Sequence, residues 1–237
     1  MSDIFSRTRA LIGSGAVEKL KNSHVALFGL GGVGSACFEA LLRSGVGTIE
    51  VFDQDCFSES NLNRQLLANL DTIGLDKVQA AKDRAKAINP EAKIIAHKMF
   101  YLPENAHSID MSQFDYVIDA VDTVTAKLEI ICRANNAEVN VISCMGTGNK
   151  MDVTALQVSD ISETTDCPLS RVMRKELRKR GIEKLKVVWS KERPYKAEPT
   201  GEFKGERPAP ASAIFVPAAA GLILACETIK DLTKEEA

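Results

Sequence analysis

No CxxC pair occurs in this sequence of 237 residues. Its six cysteines, Cys37, Cys56, Cys132, Cys144, Cys167 and Cys226, are scattered along the chain, which excludes a zinc site built from two such pairs. No signal peptide precedes the first apolar segment, so a reducing cytoplasm is the expected setting. A long apolar run is also lacking. The longest, residues 213–226, contains Pro217 and Gly221; it is too short to cross a membrane and reads as a buried helix. Strong net charge is missing too, since the formal value is −2, but that balance hides a local asymmetry described below. Finally, the glycine turn that follows the first apolar run lacks the lysine and Ser/Thr of a P-loop.

Residues 24–55, HVALFGLGGVGSACFEALLRSGVGTIEVFDQD, organise the rest. An apolar run enters the turn Gly29-Leu30-Gly31-Gly32-Val33-Gly34, a helical pattern follows, and a second apolar run, 49–52, ends at Asp53. That is a βαβ unit. Gly29, Gly31, Gly32 and Gly34 allow backbone to approach a phosphate, the helix N-terminus supplies unpaired N–H groups, and Asp53 is spaced to accept from ribose hydroxyls. Nucleotide binding follows, and NAD is the obvious nucleotide. Against it stands the polar stretch after Asp53, which leaves the ligand-facing end of the strand and carries cations.

Further along, residues 1–23 read as one N-terminal helical segment with Phe5, Leu11, Ile12, Val17 and Leu20 as packing positions. Asp76 is placed to cap a helix over 78–88, with Lys77 in its first turn. Strands are expected at 93–96, 115–120 and 139–144, with a helix over 126–135. This alternation predicts an α/β, Rossmann-like, doubly wound and mostly parallel sheet with helices on both faces. An antiparallel C-terminal extension follows from the alternation at 153–158. Pro168 opens a basic helix whose apolar stripe is Leu169, Val172, Met173 and Leu177, with Gly181 as its stop. Over residues 171–186, Arg171, Arg174, Lys175, Arg178, Lys179, Arg180, Lys184 and Lys186 face only Glu176 and Glu183, a local charge of +6. Residues 190–212 form a proline-rich loop, and 215–232 an apolar helix expected on the sheet or at a dimer contact. The length suits a single domain, with a nucleotide-binding core at 1–150 and a substrate-binding and dimer-packing part at 151–237.

Without a P-loop lysine, the phosphate charge of ATP must be met from elsewhere, and Arg64 and Lys77 are the candidates. A hydride-transfer enzyme has no need to gather cations there. Asp122, after the fourth strand, is the candidate Mg²⁺ ligand, completed by phosphate oxygens. The segments GLGGVGS, VFDQD, SESNLNRQ, GLDK, AINP and VIDAVD resemble, in order and spacing, the adenylyltransferase family that includes ubiquitin-activating enzymes and the bacterial thiamine- and molybdopterin-biosynthesis adenylyltransferases. That resemblance implies ATP and Mg²⁺ as cofactors. Asp53 would hold ribose; Asn61, Arg64 and Lys77 would contact phosphates, with Asp55 and Gln65 counted beside them; Asp122 would bind Mg²⁺; and Arg7 would act in the partner's site of a homodimer.

Within the family, SCMGTGNKMDVT, CPLSRVMRKELRKRGI and SAIFVPAAAGLILACETIKDL resemble the branch that dehydrates threonylcarbamoyladenosine in tRNA. The implied reaction is ATP-dependent cyclisation of that nucleoside beside the anticodon, through adenylation of its threonyl carboxylate. The basic helix, with Arg171, Arg174, Lys175, Arg178 and Lys179, suits tRNA phosphates. Some relatives carry a cysteine near Val187-Val188-Trp189, where this chain has none, and Cys167 reads as an incidental thiol. The rival reading is adenylation of the C-terminal glycine of a ubiquitin-like sulfur-carrier protein, which would bring in a sulfur-transfer partner. From other classes stand an NAD-binding oxidoreductase and a non-enzymatic nucleotide- or RNA-binding module.

Overall fold

The strand that ends in the glycine turn lies inside a seven-stranded sheet. The computed structural model describes residues 3–199, 201, 203–204 and 207–234. Its strands β1 (His24–Phe28), β2 (Thr48–Phe52), β3 (Lys93–His97), β4 (Tyr116–Asp119), β5 (Val141–Cys144), β6 (Leu156–Asp160) and β7 (Lys186–Ser190) take the spatial order β3-β2-β1-β4-β5-β7-β6. All neighbours pair in parallel except β6, which runs antiparallel to β7. The winding reverses between β1 and β4, and the crevice beyond the carboxyl ends of those strands is where a doubly wound sheet takes its ligand.

Alternation along β1 shows why the sheet is covered on both sides. Val25 and Leu27 join the cluster formed with helices α3 (Gly32–Ser44), α4 (Lys77–Ile88) and α7 (Phe215–Thr233). Ala26 and Phe28 face the opposite cluster, with Tyr101, Phe114 and Ile130 of α5 (Val124–Asn136). A strand buried on both faces needs a continuous apolar run, which 25–28 supplies. Register then sets the site: Phe28 lies opposite Phe52 and Asp119, so the chain leaves β1, β2 and β4 level at Gly29, Asp53 and Ala120.

The C-terminal helix, expected on the sheet or at a dimer contact, packs chiefly on α3, so closely at Gly221 that a Cβ there would fall 2.2 Å from the Val33 carbonyl oxygen. No helix among the described residues is long and apolar enough to cross a membrane.

Three expectations need correction. The N-terminal segment is two helices, α1 (Ser6–Ile12) and α2 (Ser14–Asn22), broken at Gly13, and Leu11 is 84% exposed rather than packed. Phe5, Val17 and Leu20 are buried. Strand β6 starts only at Leu156, because Asp152 caps a turn of 3₁₀ helix over Val153–Ala155. On α6 (Pro168–Arg178), Val172 points to solvent, while Met173 and Leu177 are fully buried. In the proline-rich loop, Phe203–Lys204 and Arg207–Pro208 pair as two very short strands, β8 and β9, and residues 200, 202, 205 and 206 lie outside the described residues.

Candidate active site

The glycine turn separates into residues the fold requires and one it does not. A Cβ on Gly34 would lie 1.8 Å from the Gly29 carbonyl oxygen, and one on Gly29, at φ +92°, would lie 2.9 Å from that of Ala120. Both glycines are demanded by backbone packing. Among the described residues, a Cβ on Gly31 would meet no atom within 4 Å, so this residue faces open space, and no side chain caps the N-terminus of α3 there. An uncapped helix start beside an open glycine is a cradle suited to phosphate.

Asp53 ties the turn to β2. Its carboxylate accepts from Leu30 N–H at 2.7 Å and from Asp55 N–H at 2.9 Å. Burial pushes its carboxyl above the ordinary value, and the Lys77 charge opposes that most strongly. Lys77 is itself buried, at 5% exposure; its ammonium donates to Asp55 Oδ2 at 3.1 Å and lies 3.9 Å from Asp53 Oδ1. The capping role expected of Asp76 is not found. Its carboxylate instead accepts from Lys98 at 2.7 Å and from Cys56 Sγ at 3.1 Å, which holds it down below its ordinary value.

Between them, the polar stretch folds back over the turn through bridges from Cys56 to Asp76 and from Phe57 to Ile73. Arg64 is laid against the turn: its carbonyl oxygen and Cγ are 3.4 and 3.5 Å from where a Gly32 Cβ would sit. Its guanidinium donates to Ser60 O at 2.7 Å and Asn63 Oδ1 at 2.9 Å. Asn61 is buried, and its side-chain oxygen accepts from Ser58 N–H at 3.3 Å, closing the stretch's first turn. Gln65, 6% exposed, keeps its side-chain oxygen buried without a hydrogen-bond partner among the described residues. A buried acceptor left unpaired is costly, and a ligand N–H or O–H would relieve it.

Asp122 is exposed in the turn after β4. Among the described residues no three His, Cys, Asp or Glu side chains cluster to hold a metal. A cation at Asp122 would therefore draw on phosphate oxygens and water, as Mg²⁺ does in nucleotide sites.

The sequence pattern of the ThiF family matches residues 5–237. The chain belongs to the ThiF family. It is 42% identical over 241 aligned positions to the tRNA threonylcarbamoyladenosine dehydratase of Bacillus subtilis, covering 98% of this chain and 95% of that one. It is 39% identical over 164 positions to the protein of the same name from Haemophilus influenzae, covering 69% of this chain but 63% of that one, less than two thirds of its length. Among solved structures it is similar to the E. coli tRNA N6-threonylcarbamoyladenosine dehydratase TcdA in complex with ATP, with a TM-score of 0.87, 29% identity and coverage of 96% of this chain and 93% of that one.

On this ThiF-family fold the remaining candidates lie apart from the nucleotide crevice. Arg7 is exposed on α1, which is anchored by Phe5 against Gly45 at the far end of α3. Thirteen residues of helix separate that end from the glycine turn by about 20 Å. The basic helix divides. Arg171, Lys175 and Arg178 are exposed with no ion pair among the described residues. Lys179 is paired with Glu176 at 2.7 Å, and Arg174 is half-buried, its guanidinium donating to Thr164 O at 2.7 Å and to the Thr164 hydroxyl. Lys186 turns inward to Glu227 and Asp231, at 2.7 and 2.9 Å. The exposed basic face is thus smaller than the charge count suggested.

Sequence reasoning missed one buried group at the same sheet end and read another, Cys167, as an incidental thiol. Lys127, Asp119 and Ser143 form a hydrogen-bonded cluster below the Asp122 turn. Cys167 stands at the start of α6. Burial works to raise its thiol, yet the Ser170 hydroxyl and N–H, the Gly146 N–H and the nearby Lys150 ammonium outweigh that and hold it below its ordinary value. Neither carries a local pattern that a linear reading detects.

Proposed function

We propose that this chain dehydrates threonylcarbamoyladenosine in tRNA beside the anticodon, using ATP to adenylate the threonyl carboxylate so that the neighbouring carbamoyl group can close on it. A carboxylate is a poor electrophile, adenylation supplies AMP as a leaving group, and intramolecular attack gains the advantage of proximity. The observation that carries this reading is Lys77: a cation buried beside two carboxylates, at the ligand end of β2, next to a glycine cradle with an open methyl-sized space at Gly31. An NAD enzyme has no use for it. The similarity to named dehydratases along nearly the whole chain supports the tRNA substrate, which sets the reaction in the cytoplasm.

In this reading the N–H groups at the start of α3 receive phosphate, Arg64 and Lys77 neutralise it, and Asp53 accepts from ribose. Asn61 acts by shaping the loop that carries Arg64, while Gln65 and Asp55 line the same crevice. Asp122 holds Mg²⁺, which would screen phosphate charge. The protein works as a homodimer, since Arg7 cannot serve its own crevice and the outer surface near it exposes Phe215 and Leu222 on α7 and Leu62, Leu66 and Leu70 on the loop over the turn. Asn63 of that loop donates to Ser212 O at 2.8 Å, which joins the two parts of this apolar surface.

The test is direct. Incubated with ATP, Mg²⁺ and tRNA carrying the nucleoside, the protein should remove one water from it, as read by mass spectrometry. AMP formation that requires a sulfur carrier, with no such mass change, would move the assignment to the rival reading. For the tRNA contact, the Arg171→Ala/Lys175→Ala/Arg178→Ala variant should lower the slope of log affinity against log salt by about two to three, because about one counterion is released per phosphate contact. Arg174→Ala should instead lower thermal stability, and an unchanged salt slope in the triple variant would mean that tRNA binds elsewhere.

A further inference from the structure

The buried ion pair under the Asp122 turn has a geometry that stability alone does not account for. Lys127 and Asp119 are both fully buried, with Nζ 2.8 Å from Asp119 Oδ2. The same Nζ donates to the Val121 carbonyl at 2.8 Å, and Asp119 Oδ1 accepts from the Val121 N–H at 3.2 Å. One ion pair therefore grips both polar groups of Val121, the residue directly before Asp122. Ser143 on β5 completes the set, its hydroxyl donating to Asp119 Oδ2 at 2.6 Å. On the other side, Ala120 N–H donates to Phe28 O at 2.8 Å, and the Ala120 carbonyl closes against Gly29. The turn that presents Asp122 is thereby fixed to the phosphate-facing turn.

Desolvating two charges often costs as much as their attraction returns, and an apolar pair of the same volume would hold the fold as well. What an apolar pair could not do is orient the Val121–Asp122 peptide. We infer that Lys127 is a positioning residue, which acts through Val121 to aim the Asp122 carboxylate at the divalent cation. This rests on the reading of Asp122 as the Mg²⁺ ligand. Outer groups that orient a ligand commonly change metal affinity about ten- to a hundredfold when removed.

The Lys127→Met/Asp119→Asn variant removes both charges together and leaves the volume nearly unchanged. Mn²⁺ binding in the presence of a non-hydrolysable ATP analogue, followed by electron paramagnetic resonance, is compared in wild type, this variant and Asp122→Asn; the Mg²⁺ dependence of turnover is measured in parallel. The expected result is a melting temperature near that of wild type, Mn²⁺ affinity reduced about tenfold or more, and turnover that recovers at higher Mg²⁺. Wild-type Mn²⁺ affinity in the double variant, with affinity lost in Asp122→Asn, overturns the positioning role and leaves the metal reading standing. Wild-type affinity in Asp122→Asn overturns both. Should the double variant not fold, Ser143→Ala carries the same test at smaller amplitude: roughly threefold weaker Mn²⁺ binding supports the inference, and unchanged binding overturns it.

Discussion

Exchanging Lys77 for methionine is expected to reduce kcat/KM for ATP about a thousandfold while the protein remains folded. Phosphate charge that develops in a water-poor site is stabilised by fixed cations, and loss of one such group typically costs about a hundred- to a thousandfold. The upper end applies here because the turn has no lysine of its own, and the Lys77 ammonium is already held beside Asp53 and Asp55 with only 5% of the residue exposed. Methionine preserves the packing and removes the charge. Radiolabelled pyrophosphate exchange and circular dichroism measure the two effects separately. Turnover within about threefold of wild type would mean that phosphate does not meet Lys77.

The same substitution has a pH signature whose sign is fixed. Asp53 sits above its ordinary value because of burial, and Lys77 is the strongest influence opposing this. A carboxyl raised in the folded state contributes stability below its unfolded value, near pH 4, that is lost as pH rises through the folded value. Without Lys77 the Asp53 carboxyl rises further, so the loss grows. The melting temperature of Lys77→Met should therefore fall further behind wild type at pH 8 than at pH 4. A gap that narrows with rising pH would contradict the proposed Lys77–Asp53 interaction.

How far the sequence was legible depended on whether a contact is local. The glycine turn, the run 25–28 and Asp53 lie within one βαβ unit, so spacing revealed them. Lys77 was placed in the first turn of its helix by reading Asp76 as the cap; the helix does begin at Lys77, although Asp76 makes no capping hydrogen bond. By contrast, Lys127, Asp119 and Ser143 come from α5, β4 and β5, and nothing near Lys127 in the chain distinguishes it from a surface lysine until the fold brings it under β4. Glu50 is a similar case. Its carboxylate interrupts an apolar strand, and only the parallel register brings His24 of β1 and His97 of β3 to its two oxygens, at 3.0 and 2.6 Å.

Charge counting failed for a related reason. A basic residue's position in the chain does not say whether an acid from elsewhere meets it. Lys186 was grouped with the basic helix, yet it neutralises Glu227 and Asp231 of α7, some forty residues later. Helix period likewise suggested that Val172 packs, but Met173 and Leu177 already fill the contact with α5 and β7, and Val172 lies past its edge. Breaks are equally hard to read: Gly13 ends α1 at φ +89°, which turns Leu11 outward, whereas the apolar pattern runs straight through it.

Gly31→Ala and Gly34→Ala should fail in opposite ways, and that contrast tests the site most sharply. At Gly34 the added methyl would fall 1.8 Å from the Gly29 carbonyl oxygen, an atom of the backbone that cannot swing aside. Overpacking of this kind costs about 3 kcal/mol at its upper end, which should lower the melting temperature by about 6–12 °C in a chain of this size. The turn would move as a whole, so nucleotide binding should fall with it. At Gly31 nothing among the described residues lies within 4 Å of the added methyl and φ is −72°, so alanine needs no shift there. Stability should stay within about 1 kcal/mol, the small loss at a helix cap being offset by the stiffer unfolded chain. The methyl would nevertheless stand where phosphate must come. A steric cost of about 1–3 kcal/mol there weakens ATP binding about ten- to a hundredfold, which calorimetric titration can read directly. Wild-type ATP affinity in Gly31→Ala would remove the phosphate from the cradle, whereas wild-type stability in Gly34→Ala would show only that the turn has room to spare. Gly34 is required for the chain to fold around the turn, and Gly31 is required only if something else is to enter it.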